Sequence, residues 1–410
     1  NIMKANNIFD NRMEMYVYME RYVNEGSPSG FTTVHTTSYE TNPFTGKESF
    51  YLLEFCDNDC KTFIRGEENE LFTTGKNYAH PDSVQSRKLI EAGRLLKQSK
   101  ILVCPTASGR TMFILDGFKK GFLKLTYDVS KIGRCTRDIS YIAGYGSIET
   151  SNKIKQYIDM NKMPNCFAFL PETSMKVSKL NCDGIFEWGT IFREFNPYPS
   201  ADCDVAIIPA FSLFSIDTKN PLDEKLINQF IEISKQDPSQ YLWNVLKITV
   251  DAYWGLNLNC ALRPELHSQN CMYEIDTNFQ ITRLVIKDME DVDRDLTLAK
   301  HIGIPFSWDT YPFRCYDENS REFKYRASYM YDFKLGEYLL SPIIKTVSNS
   351  FGLNPNEFEK RVRDYVRDKY LPLLPTDYFP INGCWYYCKK VETKPGEGKT
   401  FYSSQNPKFR

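Results

Sequence analysis

The sequence predicts an α+β fold in which helices are combined with antiparallel sheet. Short β-rich runs occur at Ser49 to Phe55 and between Ile101 and Val129, and helical spacing of apolar residues becomes frequent after residue 220. Strands and helices do not alternate regularly, which argues against a parallel sheet built from βαβ units. A length of 410 residues is too great for one small domain, so we expect two or three lobes.

The first half of the chain predicts strands, one hairpin and one helix. Ser49 to Phe55 is rich in aromatic residues and predicts a strand. β-rich runs follow from Ile101 to Val129, and a turn containing Gly117 between the last two of them predicts a hairpin. Before these runs, Asp82 to Lys97 predicts a helix, with Asp82 and Ser83 as candidate capping residues.

Helices dominate the second half of the chain. Asn220-Pro221 and Asn354-Pro355 each place a capping side chain before a proline at the first helical position, so each predicts a helix start. Tyr241 to Trp254 predicts a further helix from its apolar spacing. We expect a boundary between lobes at Asp217 to Asn220.

Composition and charge indicate a globular protein that binds neither nucleic acid nor membranes. Hydrophobic residues make up 42% of the chain and charged residues 25%, which is ordinary for a protein with a buried core. A net charge of −1 gives no general attraction to nucleic acid or to an acidic membrane. We expect a cytoplasmic location, because there is neither a run of about 20 apolar residues nor the apolar core of a secretory signal.

The 12 cysteines are mostly scattered along the chain. Two close pairs, Cys56 with Cys60 and Cys384 with Cys388, lie at opposite ends of it. Four thiolates are able to hold a structural zinc ion, which is the alternative interpretation. The spacing favours buried reduced thiols in a cytoplasm.

The densest group of versatile polar residues is Glu-Leu-His-Ser-Gln-Asn at 265–270, followed by Asp288. Two apolar runs joined by a polar turn separate Asn270 from Asp288 and predict a hairpin. In an antiparallel pair, the residue that enters the first strand lies beside the residue that leaves the second, so Asn270 and Asp288 should meet. Their amide and carboxylate oxygens suit Mg²⁺ on nucleotide phosphates.

The conformation of residues 265–269 decides which of these side chains act together. An extended segment would direct Glu265, His267 and Gln269 to one face. A polar loop that leads into an ordinary hairpin is the alternative, and the presence of one of only four histidines in the group weighs against it. Protein kinases also present an Asn and then an Asp as metal ligands, which supplies a rival hypothesis.

Candidate phosphate contacts lie upstream of this group. Ser108-Gly109-Arg110-Thr111 combines two hydroxyls, a glycine that permits close backbone approach and an arginine fork, with a surface turn as the alternative. Lys124 alternates with apolar neighbours on a predicted strand, and both an exposed edge and a cleft fit this pattern. His80 precedes these motifs, and Arg134 and Arg137 follow them, with solvated surface arginines as the alternative for the last two.

Taken in order, these motifs resemble those of the NRPS-independent siderophore synthetases, the aerobactin-synthetase family. The resemblance extends from His80 to the end of the chain, and its most specific part is Glu265-x-His267-x-Gln269-Asn270 with the later Asp288. The other motifs that carry it are His80-Pro81, Ser108-x-Arg110-Thr111, Lys124-Leu125, Arg193-Glu194 and Asn406-Pro407.

The resemblance implies a cupped hand of thumb, fingers and a kinase-like palm. It implies a reduced thumb at residues 1–45, fingers with antiparallel sheet at 46–215 and a palm at 216–410. It further implies a synthetase that uses ATP and Mg²⁺ to adenylate a carboxylic acid, such as citrate or a similar polycarboxylate. The activated acid is condensed with an amine or hydroxyl in siderophore or related biosynthesis, and AMP and pyrophosphate are released. Family members commonly form homodimers.

The resemblance also implies a role for each matching residue. The residues implied to face the nucleotide are His80, Ser108, Arg110, Thr111, Lys124, Gln269, Asn270 and Asp288. Arg137 and His267 are implied to hold the carboxylate, with Arg134 as the alternative to Arg137. The implied metal ligands are Glu265, Asn270 and Asp288, and the implied catalytic residues are Arg110, Lys124, Arg137, Glu265 and His267.

Some positions depart from the family pattern. Ser268 stands where glycine is usual, Lys287 where arginine is usual, and Asn382 where a lysine is expected, although Lys389 and Lys390 lie nearby. Family members are also usually longer than this chain. These departures leave the acid and the nucleophile open. The alternatives to a ligase are a kinase-like phosphotransferase that uses Asn270 and Asp288, and a nucleotide-binding homologue without catalysis.

Overall fold

The structure is a computed structural model that describes residues 5–25, 40–129, 137–305, 314–319, 323–380, 383–388, 399–403 and 406–410. Helices and mainly antiparallel strands are both abundant within these residues, which confirms the predicted α+β class. In the same part of the chain, no helix combines the length and the apolar character needed to cross a membrane.

The secondary-structure elements are numbered in chain order. The strands are β1 (Val23–Glu25), β2 (Phe50–Cys56), β3 (Thr62–Gly66), β4 (Lys76–Ala79), β5 (Lys97–Pro105), β6 (Thr111–Asp116), β7 (Gly121–Leu125), β8 (Phe167–Phe169), β9 (Glu172–Cys182), β10 (Gly184–Glu194), β11 (Val205–Pro209), β12 (Ile216–Asp217), β13 (Leu262–Pro264), β14 (Cys271–Asp276), β15 (Ile281–Ile286), β16 (Val292–Asp295), β17 (Cys315–Tyr316), β18 (Cys384–Cys388) and β19 (Lys399–Ser403). The α-helices are α1 (Arg12–Tyr22), α2 (Glu70–Thr73), α3 (Arg87–Glu91), α4 (Tyr141–Asp159), α5 (Leu226–Ser234), α6 (Pro238–Cys260), α7 (Leu296–Ile302), α8 (Phe323–Ser328), α9 (Ser341–Phe351) and α10 (Pro355–Lys369).

Eight strands form one antiparallel sheet in the order β3-β9-β10-β7-β6-β5-β2-β4. Alternate side chains of a strand point to opposite faces, and the central strands of this sheet bury apolar residues on both faces. Met112, Leu123 and Phe192 belong to the apolar cluster on one face, whereas Phe113 and Phe122 belong to the cluster on the other. The predicted strand at 49–55 is confirmed as β2, and the predicted hairpin is confirmed as β6 and β7.

A second sheet has four strands in the order β11-β14-β15-β8. Its strands β14 and β15 are the predicted hairpin, and Cys271 lies opposite Ile286 at the open end. Met272 and Val285 of this hairpin pack in one cluster with the aromatic residues Phe113 and Phe122 of the large sheet. An apolar contact therefore joins the two sheets close to the open end of the hairpin.

Residues 323–351 form one helix that changes geometry along its length. Its central part, Tyr329–Leu340, is π-helical, and α8 and α9 lie on either side of it. π-helical segments are rare and are frequent at functional sites. The next helix, α10, begins as predicted, since the Asn354 side chain accepts a hydrogen bond from Asn356 N at 3.1 Å.

The prediction of one helix from Asp82 to Lys97 is wrong. Residues 81–85 form a 3₁₀ turn, and the helix itself is only the short α3, which is capped by the Ser86 side chain. Gly93 then adopts a left-handed conformation with φ +66°, which is a common way for helices to end. Leu95, which the prediction placed on the buried side, is 80% exposed.

The predicted helix start at Asn220 is also wrong, whereas the helix predicted at 241–254 is confirmed within α6. The Asn220 side chain donates hydrogen bonds to Tyr18 Oη at 3.3 Å and to Asp217 Oδ2 at 3.4 Å, so it stabilises a turn instead. α5 begins only after Lys225. Asn-Pro therefore signals a helix only where the asparagine is free to cap it.

The cysteines whose side chains are described are free thiols, in agreement with the predicted reduced state. Cys135 and the side chain of Cys388 lie outside the described part of the chain. The alternative of a zinc ion held by Cys56, Cys60, Cys384 and Cys388 is therefore not tested, because the Cys388 side chain is not described. The lobe boundaries at residues 45 and 215 stay predictions.

Replacing Leu284 by alanine should destabilise the protein by about 2–5 kcal/mol, because it leaves a cavity in the core. Leu284 lies in β15 and is 0% exposed. Leu222→Ala is the matched control, since Leu222 is 99% exposed and its loss should change stability by less than about 0.5 kcal/mol. Urea unfolding followed by circular dichroism measures both. Equal effects of the two substitutions would contradict the position of β15 in the core.

Candidate functional site

Three basic side chains converge on the face of the large sheet that packs against the hairpin. Lys124 of β7 is only 2% exposed and lies opposite Thr111 of β6 and Ile191 of β10. Arg193 follows Ile191 by two residues, so its side chain leaves the same face of β10. Arg110 immediately precedes β6. The sequence did not decide whether Lys124 lies at an exposed edge or in a cleft. The structure buries it where the two sheets pack together.

The hairpin brings acidic groups to these cations. Asn270 and Asp288 lie at the same open end of the hairpin as predicted, since Lys287 N, one residue before Asp288, donates a hydrogen bond to Asn270 O at 3.1 Å. Asp288 has a left-handed conformation with φ 70°, which turns the chain sharply after β15. The carboxylates of Asp288 and Glu290 both reach Lys124 from this turn.

The contacts in this group define what we call the Lys124 cluster: Arg110, Lys124, Arg193, Asp288 and Glu290. The Lys124 ammonium donates a hydrogen bond to Asp288 Oδ1 and lies 2.8 Å from Glu290 Oε2. Arg110 Nη2 lies 3.5 Å from the same Glu290 oxygen, and Arg193 Nη2 lies 3.9 Å from Asp288 Oδ1. Two acids are therefore surrounded by three bases from the sheet.

Burial and charge oppose each other in the Lys124 cluster. Burial alone would raise the pKa of Asp288, but the charges of Lys124 and Arg193 hold that pKa well below its usual range. Burial alone would lower the pKa of Lys124, but Asp288 and Glu290 raise it. Both groups therefore stay ionised at neutral pH, and each stabilises the charge of the other.

Some buried polar atoms around the cluster have no hydrogen-bond partner among the described residues. They are Arg110 Nη1, Arg193 Nε, Glu172 Oε2 and Glu290 Oε1. Buried polar groups are normally paired, so these atoms indicate an incomplete site. The free N–H groups fit phosphate oxygens, and the free carboxylate oxygens fit a divalent cation. The donor set is therefore suited to a nucleotide together with Mg²⁺.

The Ser108 turn, residues 106–111, connects β5 to β6 beside the cluster. Gly109 has φ +80°, a conformation in which a side chain is strained. Thr106 Oγ1 donates to Thr111 O at 2.8 Å, so Ser108 Oγ is the donor in its 3.0 Å contact with Thr106 Oγ1. Ser108 Oγ also accepts a hydrogen bond from Thr111 N at 3.2 Å. The Ser108 hydroxyl therefore uses its proton to shape the turn.

His80 lies behind the Ser108 turn and is fully buried. Its Nδ1 accepts a hydrogen bond from Asp82 N at 3.0 Å, which leaves the proton on Nε2, 3.1 Å from Gly109 O. The Tyr127 ring packs edge-on against the imidazole at 4.9 Å. Both ring nitrogens thus have protein partners, and His80 orients the backbone of the turn.

The segment 265–270 turns, so of the two alternatives the loop describes its backbone and the extended one, with its shared face of alternate residues, does not apply. Asn270 N donates to His267 O at 3.0 Å, and Gln269 N donates to His267 Nδ1 at 3.2 Å. The second bond places the proton of a neutral His267 ring on Nε2. Burial, followed by the nearby Lys334 charge, lowers the pKa of His267 to about 4. The Gln269 side chain is half-buried at the same turn.

Glu265 forms an ion pair that the sequence did not predict. Lys334 Nζ, on the π-helical segment, lies 3.0 Å from Glu265 Oε1. Burial alone would raise the pKa of Glu265, but Lys334 more than offsets it and holds the pKa well below its usual range. The Lys334 ammonium also lies over the rings of Tyr329 and Tyr338, at 5.3 and 5.4 Å from their centroids. These contacts hold the Lys334 ammonium next to Glu265, from where its charge acts on His267.

Asn270 connects Glu265 to a further acid. Its Nδ2 donates to Glu265 O at 3.1 Å and to Asp291 Oδ2 at 3.2 Å, and no described residue donates to its side-chain oxygen. Of the expected metal ligands, Glu265 thus pairs with Lys334 and Asp288 with Lys124. Within the described residues, no group of three or more His, Cys, Asp or Glu is arranged to hold a metal ion.

Arg137 is exposed, and its backbone pairs with Tyr127. Arg137 lies on the His80 side of the site, because Tyr127 also packs against His80. Its guanidinium forms no ion pair or hydrogen bond with a described residue, so the side chain is not fixed there. Arg134, Ile381, Asn382, Lys389 and Lys390 lie outside the described residues. The choice between Arg134 and Arg137 therefore stays a prediction.

Sequence reasoning missed several residues of the site. Glu290 and Asp291 lie in an acidic run after Asp288, and the density of that run was the available signal. Arg193 was noted only as part of a motif. It lies opposite Phe122 and two residues after Ile191, which is the residue opposite Lys124, so alternation along β10 was the available signal. Lys334 had no local signal, because its contact with Glu265 joins distant parts of the chain.

The fold is that of the NRPS-independent siderophore synthetases, which confirms the resemblance at the level of the fold. No family model matches the chain, and no curated protein matches it either. The detailed cupped-hand and kinase-like descriptions stay predictions.

Particular solved structures share this fold. The petrobactin biosynthesis protein AsbB of Bacillus anthracis matches with a TM-score of 0.66 and 13% identity, over 87% of this chain and 68% of that one. The aerobactin synthetase IucC of a hypervirulent Klebsiella pneumoniae matches at 0.62 and 14%, over 89% and 71%. The ATP-bound aerobactin synthetase IucA of the same pathotype matches at 0.62 and 13%, over 89% and 72%. At these identities the likeness shows the fold alone.

The His267 ring should titrate near pH 4 in the protein free of nucleotide and metal, as its lowered pKa of about 4 requires. NMR of the ring signals measures this, and His267→Asn identifies the signal. The unfolded chain takes up a proton near pH 6.5 and the folded chain does not. The contribution of His267 to stability is therefore present above pH 6.5 and is lost as the pH falls towards 4. A folded-state pKa at or above 6.5 would contradict the burial of the ring beside the Lys334 charge.

Proposed function

We propose that this chain is an ATP-dependent ligase that adenylates a carboxylic acid and condenses it with an amine or hydroxyl nucleophile. The products besides the amide or ester are AMP and pyrophosphate. The observation that carries the proposal is the Lys124 cluster, in which Arg110, Lys124 and Arg193 face Asp288 and Glu290 between the two sheets. The fold shared with siderophore-producing synthetases supports a role in siderophore or related biosynthesis.

The basic residues answer the main physical difficulty of this reaction. A carboxylate that attacks a phosphate brings two anions together, and negative charge develops further in the transition state. Arg110 and Arg193 have buried N–H groups that find no partner among the described residues, and such groups are suited to phosphate oxygens. Lys124 is held ionised between them. We assign the nucleotide phosphates to this side of the site.

The acidic residues would hold Mg²⁺. Asp288, Glu290 and the side-chain oxygen of Asn270 have the hard oxygen donors that this ion prefers, and Glu290 has a buried oxygen without a partner. When bound, the ion neutralises phosphate charge and orients the reacting phosphate. Glu265, an expected ligand, is the member that Lys334 already neutralises, so we place it at the edge of the metal site.

The acid substrate is assigned to the His267 side of the site. A neutral His267 ring with its proton on Nε2 can donate one hydrogen bond to a carboxylate without adding charge. Lys334 and Arg314 supply positive charge on this side, since Arg314 Nη2 lies 3.6 Å from Asp291 Oδ1. Both cations are already paired with acids, so the proposal that the acid has more than one carboxylate rests on the resemblance and not on these charges. The resemblance implies Arg137 as a further contact of the acid; in the structure it is exposed and pairs with Tyr127, on the His80 side of the site.

A pyrophosphate-release screen tests the proposed reaction. Polycarboxylic acids are supplied with Mg·ATP, and hydroxylamine serves as a general trap for the activated acyl group. The expected result is acid-dependent release of AMP and pyrophosphate together with a hydroxamate. Formation of ADP would instead identify a phosphotransferase, and binding of ATP without any turnover would identify a non-catalytic nucleotide-binding protein.

Arg110→Ala should lower acid-dependent ATP–pyrophosphate exchange by roughly 100- to 1000-fold, since it removes a charged donor to the reacting phosphates. Arg110 is not part of the apolar core, so the melting temperature should change little. Arg367→Ala on the exposed side of α10 is the matched control and should retain full exchange. Full exchange in a folded Arg110→Ala protein would rule out the assigned role.

A further inference from the structure

The helix α1 carries a buried carboxylate that contacts both halves of the candidate site. Glu20 is 2% exposed. Its Oε2 accepts a hydrogen bond from Ala107 N, in the Ser108 turn, at 2.9 Å. Its Oε1 lies 3.7 Å from Lys287 Nζ, and Lys287 directly precedes Asp288. One side chain thus touches the loop that carries Arg110 and the end of the hairpin that carries the acids.

Within the described part of the chain, the Glu20 carboxylate has three polar partners: Ala107 N, Lys287 Nζ and Tyr16 Oη. Tyr16 Oη, one helical turn earlier in α1, donates a hydrogen bond to Glu20 Oε1 at 2.6 Å. Removing one member of a buried group of this kind leaves the others without partners, which is costly. Burial lowers the pKa of Lys287, and Glu20 opposes that change. Lys287 and Ala107 therefore both depend on the carboxylate.

Packing alone does not account for a charged residue at this position. Met15 and Met19 of α1 are already buried in the main apolar core. A buried ion pair is often no more stabilising than apolar side chains of similar volume. The carboxylate is, however, the group that can accept from a backbone amide and face an ammonium simultaneously. Its geometry suits alignment of two elements better than it suits anchoring of the helix.

The other end of the Ser108 turn is held by His80, which is linked through Asp82 to Thr41. His80 Nε2 contacts Gly109 O, and His80 Nδ1 accepts from Asp82 N. Asp82 Oδ2 in turn accepts hydrogen bonds from Thr41 Oγ1 at 2.8 Å and from Tyr127 Oη at 2.9 Å. The turn is therefore fixed at Ala107 by α1 and at Gly109 by His80.

We infer that Glu20 is a positioning residue that fixes the Ser108 turn, and with it Arg110, relative to Asp288. Helix α1 thereby sets the affinity of the site for Mg·ATP, although none of its residues belongs to the Lys124 cluster. The contact of Glu20 with the turn stands on geometry alone, whereas its effect on nucleotide affinity rests on the proposed function.

Amide hydrogen exchange tests the contact without reference to function. In Glu20→Ala the Ala107 amide loses its charged acceptor, so the 106–111 segment should exchange about 10-fold faster than in the wild type. Glu20→Gln keeps an acceptor oxygen, remains close in shape, and should give a smaller increase. Glu14→Gln is the matched control, because Glu14 is exposed on the same helix. Exchange in folded Glu20→Ala and Glu20→Gln equal to that in Glu14→Gln would overturn the inference.

Calorimetric titration with Mg·ATP tests the effect on affinity. Glu20→Gln loses the charge that faces Lys287, and its Kd should rise on the order of 10-fold at a temperature where all variants are folded. Glu14→Gln should keep the wild-type Kd. A wild-type Kd in Glu20→Gln would overturn the affinity claim alone. A wild-type chain that does not bind Mg·ATP would overturn the proposed function and the affinity claim together, and exchange would still decide the contact.

Discussion

The site depends on a lysine that is buried between two sheets. Lys124 lies on a central strand of the large sheet, and an unpaired ammonium at such a position would cost several kcal/mol. Asp288 and Glu290 offset that cost, but only while the hairpin stays packed on the sheet. The apolar contact of Phe122 with Met272 and Val285 and the ionic contact of Lys124 therefore stabilise the same arrangement. Fold and site are coupled at this interface.

Opposite charges in the site come from different elements. Asp288 pairs with Lys124 of the large sheet, Glu265 with Lys334 of the π-helical segment, and Asp291 with Arg314. The charges nearly balance, so neither a free polyanion nor a free cation is strongly favoured. A nucleotide that carries its metal brings both signs at once and can supply partners to acids and bases together. This balance is consistent with the proposed binding of ATP together with Mg²⁺.

Local patterns in the sequence were sufficient for the fold class, the hairpin and the meeting of Asn270 with Asp288. Strand alternation and a short turn fix such features within a few residues. The sequence left an extended segment and a polar loop both open for residues 265–270, because the pattern does not show that the His267 side chain competes for the backbone through Nδ1. Lys334 and Glu20 could not be found, because their contacts depend on packing between elements far apart in sequence. The sequence therefore predicted features set by neighbouring residues, but not contacts between residues far apart in the chain.

The Ser108 turn shows how the described contacts narrow the assignment of phosphate donors. The Ser108 proton is used within the turn, and both nitrogens of His80 are engaged behind it. Under the proposed function a phosphate oxygen needs donors, and Arg110, Lys124 and Arg193 are the charged side chains of the cluster that have them. The Ser108 hydroxyl and the His80 imidazole then act indirectly, because they fix the turn that carries Arg110. In the proposed function the Arg110 guanidinium would bind the phosphate, and the neutral side chains of Ser108 and His80 would hold that guanidinium in position.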